Sequence, residues 1–164
     1  MNDRVYNVLF ICTHNSARSI MAEGLLNHLG RGRFRAWSAG SRPGGEVNPY
    51  ALGTLARLGM PNEGYRSKDW AEFAQPGAPE FDFVFTVCDQ AAGEACPVWP
   101  GRPITAHWGV ADPVLFEGTD EQKTKLFRDT AMVLKRRIEL MLALPLDRLD
   151  RMAIQREVGD IGKR

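Results

Sequence analysis

The chain has 164 residues, 44% of them hydrophobic and 25% charged, with a formal net charge of +1 at pH 7. This length and ordinary composition suit one soluble domain with a proper core, and argue against a disordered or fibrous chain. The small net charge supplies no long-range field for nucleic acid or an anionic bilayer, and no apolar run approaches the roughly 20 residues of a membrane span.

Val5 to Ile11 is a nearly continuous apolar run and reads as a buried first strand. A short polar loop follows, and Ser19 to Leu29 reads as a helix with Ile20, Leu25, Leu26 and Leu29 on one face, stopped by Gly30 and Gly32. Phe34 to Ser38 is a second strand, ended by the small residues Ser38-Ala39-Gly40, and Ser41 to Glu46 is loop. Asn48 is a favourable N-cap and Pro49 a favoured first residue for a helix reaching about Leu58, with Leu52, Leu55 and Leu58 inward. Ser67 is expected to cap a short helix from Lys68 to Phe73. Phe81 to Val87 reads as a third buried strand, Cys88 to Gly101 as a loop of small residues, and Ile104 to His107 as a fourth strand. Thr119 opens the longest helical pattern, with Leu126, Ala131, Leu134, Ile138 and Leu142 as core positions. Strands alternating with helices predict an α/β sandwich with a parallel sheet. After Pro145, the residues Leu146, Leu149, Met152 and Ala153 share one apolar helix face. Residues 145–164 are expected to form a tail or a short helix on their own subunit, with a partner-docking helix as the alternative.

The stretch from Cys12 to Ser19 carries the chemistry. A strand–loop–helix turn aims successive backbone N–H groups into a concavity, and the helix N-terminus adds its positive dipole end. A tetrahedral oxyanion fits such a cradle of Thr13, His14, Asn15, Ser16, Ala17, Arg18 and Ser19. Arg18 can fork onto two of its oxygens. Cys12 in that field is expected to have a depressed pKa and to sit as thiolate near neutral pH. The Ser19 hydroxyl is placed to hydrogen-bond it, and Asn15 can take the left-handed backbone a tight loop needs. A lone cysteine after a strand is ordinarily a small buried hydrophobe, but Cys-x5-Arg-Ser between a strand and a helix is far more restrictive.

This loop, followed by Met21-Ala22-Glu23, resembles the phosphate-binding loop of the low-molecular-weight protein tyrosine phosphatase family, which also contains the arsenate reductases of that fold. The resemblance covers about Val5 to Leu144. It implies a three-layer sandwich around a four-stranded parallel sheet, with residues 1–144 as the catalytic domain.

Strands one, three and four end at Cys12, at Cys88 and near Asp112, and ligand sites of open parallel sheets lie outside the carboxyl ends of the strands. Topology alone can therefore bring these residues to one edge. Asp112 before Pro113 is ordinarily a turn residue. Its position matches the family's general acid, and Trp108-Gly109 resembles the arsenate reductase version of that segment. Val114, Leu115 and Phe116 stand where the family's phosphatases often carry tyrosines. Cys88 and Cys96 bound a short loop that resembles the redox segment of the thioredoxin-coupled arsenate reductases; the other reading has Cys88 as strand-end packing and Cys96 as incidental.

The resemblance implies that Cys12 attacks arsenate while Asp112 protonates the departing oxygen. Cys88 then resolves the adduct, and Cys96 draws the disulfide outward for an external dithiol, thioredoxin or glutaredoxin. Phosphate or sulfate would compete for the loop. No tightly bound cofactor, nucleic acid or membrane partner is expected, and His14, His28 and His107 show no metal-ligand spacing, so no metal is assigned. Met1-Asn2-Asp3-Arg4 leads straight into a strand rather than a signal-peptide core, so a cytoplasmic location is expected. A low-molecular-weight phosphatase hydrolysing phosphate monoesters and a non-catalytic oxyanion-binding module remain the alternatives.

Overall fold

The computed structural model describes residues 4–88 and 99–164. Its centre is strand β1 (Tyr6–Cys12), in which Val8, Leu9, Phe10 and Ile11 are fully buried. Helix α1 (Arg18–Leu29) follows the loop and leads to β2 (Phe34–Gly40) and α2 (Pro49–Arg57). Strands β3 (Phe83–Thr86) and β4 (Ile104–His107) complete a parallel sheet of order β2-β1-β3-β4. Helices α3 (Asp120–Leu142) and α4 (Arg151–Ile161) end the chain.

The strand order reverses direction at β1. The chain leaves β1 for β2 on one side and returns to β3 on the other, so the loops after β1 and β3 diverge from a crevice at the carboxyl edge. This is where Cys12 and Cys88 stand. The supporting strands are stiffened by aromatic pairs. Phe10 lies 5.8 Å from Phe85, and Phe85 is stacked on Trp108 at 4.1 Å between ring centroids. Full burial of a side chain like Phe10 or Phe85 contributes roughly 1.5–3 kcal/mol. A second cluster of Trp37, Phe73, Phe81 and Trp99 includes the short 3-10 turn Trp70–Ala74.

Several expected boundaries shift. Helix α2 starts at Pro49, with the Asn48 side chain accepting from the Tyr50 N–H, and α3 starts after the Thr119 cap, both as expected. The cap expected at Ser67 belongs instead to Asp69, whose carboxylate accepts from Ala71 N–H at 2.8 Å, and Ser67 turns to the carbonyl of His14. Within α3, Phe127 and Met141 are buried, whereas Leu126 and Leu142 are half-buried. Near the C-terminus, Asp150 caps α4, its carboxylate accepting from the Ala153 N–H. Ile154, Val158 and Ile161 face inward at helical spacing, and Met152, expected on that face, is 77% exposed.

Helix α4 lies along the open side of β4. Ile104 and Trp108 direct their backbone N–H groups to β3, bonding the carbonyls of Asp82 and Thr86, so Thr105 and His107 face outward. Gln155 donates to the Thr105 carbonyl at 2.7 Å, and Gly162 sits so close to the His107 carbonyl that a Cβ there would approach it to 2.1 Å.

Candidate active site

The loop between β1 and α1 is held from outside through its carbonyl oxygens. Those of Cys12, Thr13, His14 and Ser16 accept from the backbone N–H groups of Ser41, Arg42, Gly44 and Asn48. No cis peptide occurs among the described residues. Each trans peptide aims its N–H opposite to its carbonyl. The N–H groups of Thr13, His14, Asn15 and Ala17 therefore turn toward the inside of the loop, and that of Asn15 donates to Cys12 Sγ at 3.2 Å. Gly40, the register partner of Cys12, lets the loop close down on β2. A Cβ at that position would stand 2.5 Å from the Thr13 carbonyl oxygen.

The expected site residues come together at this edge, with one outside the described residues. Cys12 is 2% exposed, and its Sγ is 2.9 Å from Ser19 Oγ. Asn15 takes the left-handed backbone at φ 49. Arg18 donates from Nη1 to the Val110 carbonyl at 3.0 Å, and its Nη2 is 3.4 Å from Asp112 Oδ2. Asp112 also fills its ordinary turn role, since its Oδ1 accepts from Val114 N–H. Cys88 is buried with its Sγ 3.3 Å from Thr13 Oγ1. Cys12 and Cys88 are not joined in a disulfide. Cys96 lies outside the described residues. His14 is exposed, and its carbonyl rather than its ring ties the loop to Gly44 and Ser67.

The family model of the low molecular weight phosphotyrosine protein phosphatases matches residues 7–156. The chain belongs to that family. An arsenate reductase of Halalkalibacterium halodurans is 35% identical over 139 residues, which is 85% of this chain and 95% of that protein. A glutaredoxin arsenate reductase of Synechocystis is 30% identical over 136 residues, 83% of this chain and 95% of that one. A solved arsenate reductase in the reduced state superposes with a TM-score of 0.66 at 27% identity, covering 84% of this chain and 97% of the other.

In this low molecular weight phosphatase fold, a polar network beneath the loop went unread in the sequence. Asn15 Nδ2 donates to Ser19 Oγ at 2.8 Å and to Ser38 Oγ at 3.0 Å, and Ser38 Oγ donates to Glu23 Oε1 at 2.5 Å. The Lys68 N–H donates to Asn15 Oδ1 at 2.9 Å, and its ammonium bonds the Arg66 carbonyl at 2.8 Å. Burial pushes Glu23 up and Lys68 down, and each charge partly restrains the shift of the other. Every polar atom of the buried Asn15 side chain is thus satisfied, which locks its left-handed backbone. The available signals were a glutamate one helical turn beyond Ser19 and a serine inside a strand.

The charge state of Cys12 corrects an expectation. Burial pushes its thiol above the ordinary value of 9.0, outweighing the Ser19 hydrogen bonds and the Arg18 charge that favour the thiolate. The physical reason is that Sγ is enclosed by the core, while the guanidinium of Arg18 is shared with Val110 and Asp112. Alkylation of Cys12 by iodoacetamide against pH, in a Cys88→Ser, Cys96→Ser variant, should therefore titrate above an ordinary thiol. Adding Ser19→Ala should raise it further. The sign for stability is set by the folded state binding the proton more tightly than the unfolded one. Cys12 thus contributes stability below about pH 9 that is lost as pH rises through its folded value. Titration at or below an ordinary thiol would mean that the loop dipoles dominate burial.

Proposed function

We propose that this chain is an arsenate reductase that turns arsenate into arsenite at Cys12 and passes the oxidising equivalents to its own thiols and then to an external dithiol. The observation that carries this reading is the second buried thiol beside the loop, Cys88, 3.3 Å from Thr13 Oγ1. A hydrolase working through one cysteine has no use for it, whereas a two-electron reduction by thiols needs it. The family relatives named arsenate reductase support the same reading. The phosphatase alternative is less favoured: after Pro113 the chain places Val114, Leu115 and Phe116, with Leu115 79% exposed, and none of these three side chains carries a hydroxyl.

Arsenate lies in the cradle of loop N–H groups, with Arg18 forked onto two oxygens. Cys12 Sγ attacks arsenic and an As–O bond breaks. Asp112 supplies the proton with which that oxygen leaves as water. A thiol kept protonated by burial suits an incoming dianion, which takes the Cys12 proton as sulfur attacks. Cys88 next attacks Cys12 Sγ. The S–S bond forms, the S–As bond breaks, its electron pair stays on arsenic, and arsenite leaves. Cys96 then attacks Cys88 Sγ, which moves the disulfide to Cys88–Cys96 and releases Cys12, which takes up a proton as the Cys96 thiol gives one up and so returns to its starting state. One external dithiol reduces that bond, two electrons per arsenate. Thioredoxin is the proposed donor over glutaredoxin, because a chain with its own third cysteine needs no monothiol for the second exchange. No helix among the described residues is long and apolar enough to cross a membrane, and the cytoplasm is the proposed compartment, where thiols stay reduced.

The test is arsenite production from arsenate with thioredoxin, its reductase and NADPH, beside mass spectrometry of cysteine pairing after arsenate alone. Arsenite release with a Cys88–Cys96 disulfide is the expected result. Good hydrolysis of an aryl phosphate with no arsenite from any thiol donor would make the chain a phosphatase.

A further inference from the structure

Arg137 is a buried cation that the chemistry at Cys12 leaves unexplained. It sits on α3 and is 7% exposed, and no Asp or Glu side chain pairs with it among the described residues. Its Nη1 donates to the carbonyl oxygens of Trp108 at 2.8 Å and Gly109 at 3.0 Å, and its Nε to a main-chain oxygen of Arg164, the last residue of the sequence, at 3.2 Å. Burial, followed by the neighbouring Arg136 charge, pushes Arg137 below its ordinary value. A buried guanidinium is costly unless acceptors take up its donors, and an apolar side chain of similar length would fill the same space without that requirement. The carbonyls of Trp108 and Gly109, which share Nη1, are two of the three acceptors that arginine serves here.

Those carbonyls open the segment that carries Asp112. From Gly109 to Asp112 the chain has no regular structure of its own, so a few bonds set its path. Trp108 is pinned by its indole N–H to the Val158 carbonyl at 2.9 Å and by stacking on Phe85. The Val110 N–H bonds the Val87 carbonyl at 3.1 Å, and the Val110 carbonyl takes Arg18 Nη1 at 3.0 Å. Asp112 then meets Arg18 Nη2. Arg137 grips one end of a five-residue stretch and Arg18 the other.

We infer that Arg137 is a positioning residue for Asp112: by holding the carbonyls of Trp108 and Gly109 it fixes where the Asp112 carboxyl stands above the Cys12 loop. This rests on the proposed role of Asp112 as the general acid. Arg137 itself touches no reacting atom, and α4 takes part through Val158.

The test compares two reactions of Cys12, only one of which needs a proton donor. Single-turnover formation of the Cys12–Cys88 disulfide on arsenate requires a departing oxygen to be protonated, whereas alkylation of Cys12 by iodoacetamide does not. Asp112→Asn is expected to slow the first by roughly 10²–10⁴-fold and leave the second unchanged. Arg137→Met should show the same split with a loss of about 10²-fold, the scale of a misplacement of about 1 Å. Arg137→Lys, which restores one donor, should recover part of it. Equal loss in both reactions, or none, in Arg137→Met beside a split in Asp112→Asn overturns the inference alone. No split in Asp112→Asn removes the general-acid reading and the inference with it. Should Arg137→Met fail to fold, an unchanged arsenate rate in Arg137→Lys is the overturning result. Should the wild type form no disulfide on arsenate, the reductase reading falls, and the same variants are compared on phenyl phosphate against 2,4-dinitrophenyl phosphate, whose leaving group needs no proton. Loss confined to phenyl phosphate then supports the positioning role, and equal loss overturns it.

Discussion

Cys88→Ser is expected to abolish arsenate turnover while leaving any hydrolysis of a small aryl phosphate unchanged. The serine hydroxyl keeps the contact with Thr13 Oγ1 that Cys88 Sγ makes at 3.3 Å, so packing beside the loop should survive. What disappears is the one thiol beside Cys12 among the described residues that could strip it from arsenic. Hydrolysis needs only water at a phosphocysteine and has no such step. Cys96→Ser should differ in a telling way: about one arsenite per protein, with Cys12–Cys88 trapped as a disulfide, because the first exchange is intact and the second is missing. Arsenite assays with a thioredoxin system, run beside aryl phosphate hydrolysis, read all three proteins. Sustained arsenite release from Cys88→Ser would reduce Cys88 to strand-end packing.

Arg18→Lys is expected to cut turnover by on the order of 10²–10³-fold with the fold intact. The lysine ammonium retains the charge but offers no planar fork, so it cannot hold two oxygens of a tetrahedral anion at once. It also cannot hold the Val110 carbonyl and the Asp112 carboxylate in the way that Nη1 and Nη2 of Arg18 do. Circular dichroism and thermal melting should be near those of the wild type, with the loss concentrated in the single-turnover rate on arsenate. Near-normal rates would assign the work to the loop amides alone.

The parts of the site that were legible in the sequence are those written locally or by topology. Cys12, Asn15, Arg18 and Ser19 fall within eight residues between a strand and a helix, and each has the geometry that this spacing implies. Cys88 and Asp112 are far from them in sequence, but the carboxyl edge of a parallel sheet gathers strand ends, and β3 and β4 deliver both. Strand limits shifted by one or two residues because hydrogen bonding ends strands where apolarity does not. The support beneath the loop was not legible. Glu23 lies on α1, Ser38 on β2 and Lys68 in irregular chain before the 3-10 turn, and no spacing rule connects them. The Cys12 charge state was misjudged for a related reason: the loop dipoles are a local feature, while the enclosing core is assembled from the whole chain. Met152 was misplaced because the expected face ran across a break in the chain: Leu146 lies in the 3-10 turn Leu146–Arg148, and α4 starts only at Arg151 with Ile154, Val158 and Ile161 inward.

Helix α4 has a consequence for how copies of this protein meet one another. Every open sheet ends in a strand with unspent backbone groups, and such a rim invites pairing with a strand of another molecule. Here one of the two rims is β4, and its two outward carbonyls, those of Thr105 and His107, are occupied by Gln155 and closely packed by Gly162. The last helix therefore acts as a selvage on the sheet, keeping a flat parallel edge from growing into intermolecular β-structure in a crowded solution.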